Sequence, residues 1–225
     1  MKLRLDHSDC LKITMSIDSI AYRIKHTFPA AFKVLYGVAR GVAEVCHRRG
    51  RQTALELSTI RGTIDGENSV IRPFGSNDVD AVYTFFTDLP VQHLQHFQPH
   101  GMDRQSISRV LSSRAYCCYG LYVSNSLAAY CLIKLTPNRN AYVGLLVAPS
   151  MTGKGIGKFL WRYLIWQSLQ MGLQPCATIH EHNLSSLHSL RSVEDNLLQT
   201  SLPGNYLRIT ISPDNRHAQS PELML

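Results

Sequence analysis

The sequence predicts an α/β fold, and three observations predict it. Strand and helix patterns alternate from Ser69 onward. A strand, a glycine-rich loop and a helix follow one another around Gly153–Gly157. The long uncharged run from Ala115 to Ile133 breaks at Ser124-Asn125-Ser126, with tyrosines on both sides, and so reads as two strands joined by a turn rather than as a membrane span.

Taken in order, residues 1–15 give no clear signal, and Ser16–Lys25 suggest a short helix. From Pro29 to Arg49, apolar residues (Phe32, Leu35, Tyr36, Ala39, Val42, Cys46) recur at helical spacing. Pro29 suits a first helical turn, His47-Arg48-Arg49 suit a last one, and Gly50 suits a stop. This amphipathic helix must bury its apolar face on the domain behind it, on a second subunit to make a homodimer, or on a membrane surface. Arg61–Glu67, with Gly62 and Gly66, reads as a linker. The expected division is therefore a basic, largely helical extension over 1–66 and a catalytic-type domain over 67–225.

Within the second part, Val70–Phe74 is expected as a strand. Ser76 or Asn77 can cap a helix to about Asp88, and Asp103 can cap another through Leu111. Ala115–Val123, Leu127–Leu135 and Ala141–Val147 are expected strands, the last nearly free of polar side chains and so suited to a sheet centre. A helix runs from Ile156 to Met171 and ends at Gly172. Cys176–Glu181 is a strand, Asn183–Glu194 a helix, and Leu197–Leu202 with Tyr206–Ser212 a hairpin. The segment from Pro213 is expected to be loose.

The loop Thr152-Gly153-Lys154-Gly155-Ile156-Gly157-Lys158 points to a function. Glycines allow positive φ and leave no side chains between backbone and ligand. Several N–H groups can then converge on an anion at a helix start, where aligned peptide dipoles leave about half a positive charge. The spacing is neither G-x-G-x-x-G nor G-x-x-x-x-G-K-[ST], so neither a dinucleotide fingerprint nor a P-loop is present.

Composition bounds the rest. A hydrophobic content of 44% excludes global disorder. The six cysteines form no C-x-x-C and no compact disulfide framework, and the first residues lack an apolar leader core. Reduced cysteines and a cytoplasmic location are the plain expectation. The net charge of +7 is uneven: residues 1–66 carry 11 Lys or Arg against 6 Asp or Glu, and residues 67–225 carry 12 against 10. An ordinary basic surface explains this, and no nucleic-acid partner is expected. His93, His96 and His100 stand at i, i+3 and i+7, but Pro99 interrupts that helix face and no Cys or acidic cluster joins it. No metal is expected.

The pattern V-x-P-x-x-x-G-x-G-x-G, at Val147 to Gly157, resembles the acyl-CoA pyrophosphate loop of the GCN5-related N-acetyltransferases (GNAT). Asn183-Leu184-Ser185-Ser186-Leu187-His188-Ser189-Leu190 is similar to that family's strand-to-helix segment N-x-x-[AS]-x-x-[LS]-[YL], and the element order over about 69–212 also agrees. The resemblance implies a mixed, mostly antiparallel sheet with helices around it. Its central strands Leu145–Val147 and Cys176–Glu181 splay apart to admit the pantetheine arm. It further implies acetyl-CoA as co-substrate and direct acyl transfer to a primary amine. A backbone N–H near Leu146 or Val147 would hold the oxyanion, and the amides of Thr152–Gly157 the pyrophosphate. Lys154 and Lys158 would add charge there, Asn183 would meet the pantetheine, and Ser186 would face the cofactor. The chain departs from the pattern at three points: Thr152 replaces Arg or Gln, Leu190 replaces the usual tyrosine, and Glu194-Asp195 replaces Gly-Phe. Candidate bases are Glu181, His180 and His100, and His100 also suits recognition of the acceptor. A small-molecule amine is the expected partner; a non-catalytic acyl-CoA-binding module and a protein N-terminal or lysine acetyltransferase are the alternatives.

Overall fold

The computed structural model describes residues 29–212 and 219–225. The expectations for residues 1–28 and 213–218 lie outside the described residues. Helices α1 (Pro29–Cys46) and α2 (Arg48–Glu56) come first. Strands β1 (Ile60–Ile64) and β2 (Glu67–Pro73) follow, then α3 (Val79–Thr87), α4 (Val91–Leu94) and α5 (Arg104–Ser112). Next come β3 (Tyr116–Val123), β4 (Ser126–Leu135) and β5 (Asn140–Val147). The remainder is α6 (Ile156–Gln170), β6 (Gln174–His180), α7 (Leu184–Arg191), β7 (Leu197–Leu202) and β8 (Tyr206–Ile211). Eight strands make one sheet in the order β1-β2-β3-β4-β5-β6-β8-β7, antiparallel except where β5 and β6 run parallel. Among the described residues no helix is long and apolar enough to cross a membrane.

Two cores flank the sheet. On one side Leu160, Trp161, Tyr163 and Leu164 of α6 pack on Tyr119, Cys131 and Ile133. On the other, Val82, Phe85 and Phe86 of α3 and Ile107 of α5 pack on Tyr130 and Leu132. The alternation of side chains along each strand sends these residues to opposite faces. Burial pushes the thiols of Cys117, Cys118 and Cys131 upward, Cys118 to about 12, so none of these three is a ready thiolate.

Three expectations are corrected. The helix read over Pro29–Arg49 is two helices, and Gly50 does not stop it. Gly50 lies inside α2, where a Cβ would come 2.8 Å from the Met171 carbonyl oxygen; glycine serves close approach there. Arg61–Glu67 is not a linker but most of a hairpin. Asp65 and Gly66 both have positive φ, as a two-residue type I′ turn requires, and Ile64 pairs with Glu67. The segment from Pro213 is not loose throughout. Met224 pairs in parallel with Thr63; the Thr63 N–H donates to Leu223 at 2.9 Å, and the Leu225 N–H to Thr63 at 3.0 Å. Gly62 is glycine because Leu223 main chain occupies the space of a Cβ.

Helix α1 keeps one side on the sheet through Tyr36, whose hydroxyl is 2.6 Å from that of Tyr116, and through fully buried Ala43. Its other side exposes Val34, Val38 and Val45.

Arg72 and Asp78 brace β2 against the start of α3. The guanidinium makes two bonds to the carboxylate, at 3.0 and 2.7 Å, and donates to the Tyr122 hydroxyl. The Arg72 hydrogen bond holds Asp78 below the usual carboxylate range, against the opposing effect of burial. Asp78→Asn should therefore cost about 1–2 kcal/mol at neutral pH in a denaturant titration, the low end reflecting the partly exposed Arg72. The depressed folded-state value means this contribution is complete above the ordinary carboxylate range and fades as pH falls through it. The variant should lack that part of the acid dependence.

Candidate active site

The parallel pair β5 and β6 is joined only at its start, through Asn140–Gln174, Ala141–Pro175 and Tyr142–Cys176. Beyond Tyr142, β5 keeps its antiparallel partner β4 up to Val147, whereas its β6 side has none. The two strands part and leave a cleft of about 750 Å³. Val143 to Val147 form one wall and Thr178 and Ile179 the other. The loop after β5, the start of α7 and the α4 segment, through Gln92, His93, His96 and Phe97, complete the lining.

The loop has the backbone that its glycines allow. Gly153 and Gly155 take φ of +81° and +76°, where an ordinary side chain would be strained. Gly157 has a different reason to be glycine: a Cβ there would come 3.1 Å from Ser189 Oγ, so α6 and α7 meet closely. The N–H groups at a helix start have no intrahelical acceptor, and Ile156, Gly157 and Lys158 at the start of α6 line the cleft. Thr152 bonds back into its own turn: its amide and its hydroxyl both donate to the Pro149 carbonyl, at 3.3 and 2.7 Å.

Of the residues singled out in the sequence, Leu145, Leu146, Val147, Thr152, Gly153, Gly155, Ile156, Gly157, Lys158, Asn183 and Ser186 line the cleft. Lys154 does not; its ammonium is 2.7 Å from Asp65 in the β1–β2 turn. Asn183 caps α7, its side-chain oxygen accepting the Ser186 N–H at 3.2 Å. Leu190, at the position of the usual tyrosine, is fully buried.

The three candidate bases are not on the cleft wall. His100 packs behind it against Phe86 and Tyr130. Its Nδ1–H donates to the Gly101 carbonyl at 2.7 Å, and its Nε2 accepts from the Tyr130 hydroxyl at 2.9 Å. Burial lowers its pKa, so the ring is neutral with both nitrogens occupied. His180 ends β6 at the rim, where it stacks on His96 with centroids 4.9 Å apart. Its Nδ1 accepts the His182 N–H at 3.2 Å, which leaves Nε2 as the protonated nitrogen of the neutral ring, a donor rather than a base. Glu181 is exposed and lies 3.6 Å from His182.

The sequence reading missed Gln92, Phe97, Trp161, His188 and Ser189 on the cleft wall, and weighed His93 and His96 only for a metal site, which it did not expect. Among the described residues, no three His, Cys, Asp or Glu side chains assemble as a metal site. Phe97 has one legible cue, Gly144. A Cβ at 144 would touch the Phe97 ring at 3.4 Å, and a glycine inside an apolar strand signals close approach.

A comparison with protein-family models matches residues 80–192 to the Acetyltransferase (GNAT) family. The chain belongs to that family. A comparison with curated proteins finds no match. Solved structures show the same fold at low identity. The GNAT domain of S. lividans PAT is 14% identical over 69% of this chain and 97% of its own, with a TM-score of 0.61. RimJ of Mycobacterium smegmatis, in complex with CoA-disulfide, is 17% identical over 72% and 90%, with a TM-score of 0.55. An acetyl transferase from Salmonella typhimurium that modifies the N-terminal serine of ribosomal protein L7/L12 is 16% identical over 66% and 93%, with a TM-score of 0.52.

In this GNAT protein the positive φ at Gly155 strains any side chain placed there. Gly155→Asp would put a strained residue at φ +76° with its Cβ 3.3 Å from Leu225, and a negative charge among the amides. Calorimetric titration with CoA should show binding weakened roughly 100-fold, close to 3 kcal/mol, with the melting transition still cooperative.

Proposed function

We propose that the protein transfers an acetyl group from acetyl-CoA to the primary amine of a small molecule, by direct attack within a ternary complex. The observation that carries this reading is the unpaired run of β5 beyond Tyr142, facing β6 across a cleft that ends at the glycine loop. The pyrophosphate would lie on the amides of Gly153–Gly157, with Lys158 adding charge. The pantetheine arm would run along Val143–Val147, using backbone groups that β6 leaves free. A β5 N–H near Leu146 would hold the developing oxyanion, where a fixed donor in a dry slot counts for most. Placing the amine against the thioester supplies much of the remaining acceleration.

The α4 segment supports a small acceptor. Phe97 is anchored on Phe86 and Tyr130, and its ring lies over Gly144, so this segment covers part of the β5 wall of the cleft. A free amine fits beneath such a cover more readily than a residue of a folded protein.

A panel of small primary amines, assayed with acetyl-CoA by thiol release, should reveal at least one acceptor whose turnover clearly exceeds acetyl-CoA hydrolysis and is lost in Gly155→Asp. CoA binding with turnover of no amine would overturn the reading in favour of a binding module. Turnover of peptide N-termini or lysines alone would overturn the small-molecule assignment.

A further inference from the structure

His93 lines the cleft beside the end of β5. It lies on α4 and places Nε2 2.7 Å from the carbonyl oxygen of Val147, the last residue of β5. A carbonyl oxygen only accepts, so Nε2 carries the proton. In the neutral ring the lone pair therefore sits on Nδ1, and no described residue bonds to that nitrogen. Base and orienting group are thus both present: an imidazole with one nitrogen held by a fixed acceptor and the other without a described protein partner, on a residue that lines the same cleft as the strand that would carry the thioester. Its position is set by packing. Leu89 and Phe97, on either side of it in sequence, are buried, and the His93 N–H bonds to the Pro90 carbonyl at 2.8 Å.

We infer that His93 is the general base of the transfer, a role that rests on the acetyltransferase reading above. An ammonium group has no lone pair with which to attack. Nδ1 of His93 takes one proton from it. The amine nitrogen then bonds to the thioester carbon, and the C–S bond breaks with its electron pair on sulfur. The second N–H proton goes to the thiolate, and the imidazolium returns its proton to solvent. The Val147 carbonyl stabilises the imidazolium through the same Nε2–H bond. The other ionisable groups on the cleft wall are His96 on the segment after α4, Lys158 on α6 and His188 on α7. His180 reaches the rim by stacking on His96. No carboxylate lines the cleft among the described residues; Glu181 stands outside it beside His182. Among the described residues His93 is then the one imidazole that combines a cleft position with a carbonyl-pinned tautomer.

The test compares wild type with His93→Gln, whose amide can still donate to Val147 but cannot act as a base. With the best amine of the panel, kcat at neutral pH should fall on the order of 100-fold, with CoA affinity unchanged. The acid limb of the wild-type pH profile should be replaced by one that follows the amine's own ionisation, so that the variant recovers as pH rises and free amine accumulates. With methoxyamine, which is neutral at pH 7 and needs no base, the two proteins should agree within a few-fold. Equal loss with both acceptors would reduce His93 to a structural role, and no loss with either would remove it from the mechanism. Both results leave acetyl transfer itself standing, whereas absence of turnover by wild type with any amine removes the transferase reading and this one together. A second readout needs no turnover: nitrogen NMR of the His93 ring should show the Nε2–H tautomer, and the Nδ1–H tautomer would overturn the assignment.

Discussion

The parting of β5 from β6 is the constraint on which the site depends. A parallel pair needs a long crossover connection, here the glycine loop and α6. That crossover fixes where the strands start together, at Asn140–Tyr142 and Gln174–Cys176, and leaves them free to diverge afterwards. Divergence would ordinarily strand buried backbone groups without partners, which costs free energy. The cost is tolerable where a ligand or water supplies the missing bonds, so a persistent gap inside a sheet is itself a sign of a binding slot. β5 can bear it because its other edge remains fully paired with β4.

The surrounding elements then close the slot from three directions. The helix start brings amides, α7 approaches closely enough to require Gly157, and the α4 segment is held against the strand by Phe97 over Gly144. Each contact depends on a glycine for a different reason: positive φ at 153 and 155, a helix–helix approach at 157, and ring packing at 144. Electrostatics act in the same sense. Among the described residues the cleft wall carries Lys158 and histidines but no carboxylate, which suits a polyanionic cofactor. Lys154 has a different partner, Asp65.

Much of this was legible in the sequence because it is written in short-range signals. Gly153, Gly155 and Gly157 mark the loop by conformational need, and Asn183 marks the start of α7 by its capping chemistry. Strand and helix periods located most of the sheet and most of the helices against it. The failures share a cause. Gly50 and Gly62 look like breaks, yet each makes room for main chain distant in sequence, at Met171 and Leu223. Asp65-Gly66 is a hairpin signal that could have been read, but the expectation of a linker obscured it. The histidines could not be ranked from sequence. His93, His100 and His180 differ in their hydrogen-bond partners (Val147, Tyr130 and His182), and only folding supplies those.

The central claim is that the open β5 edge and the glycine loop together receive one ligand. Amide hydrogen exchange measured with and without CoA tests it directly. The account predicts slowing on the order of tenfold or more at both Val143–Val147 and Gly153–Lys158, with little change in β1 and β2. Unchanged exchange in both segments, or protection confined to another part of the sheet, would contradict it.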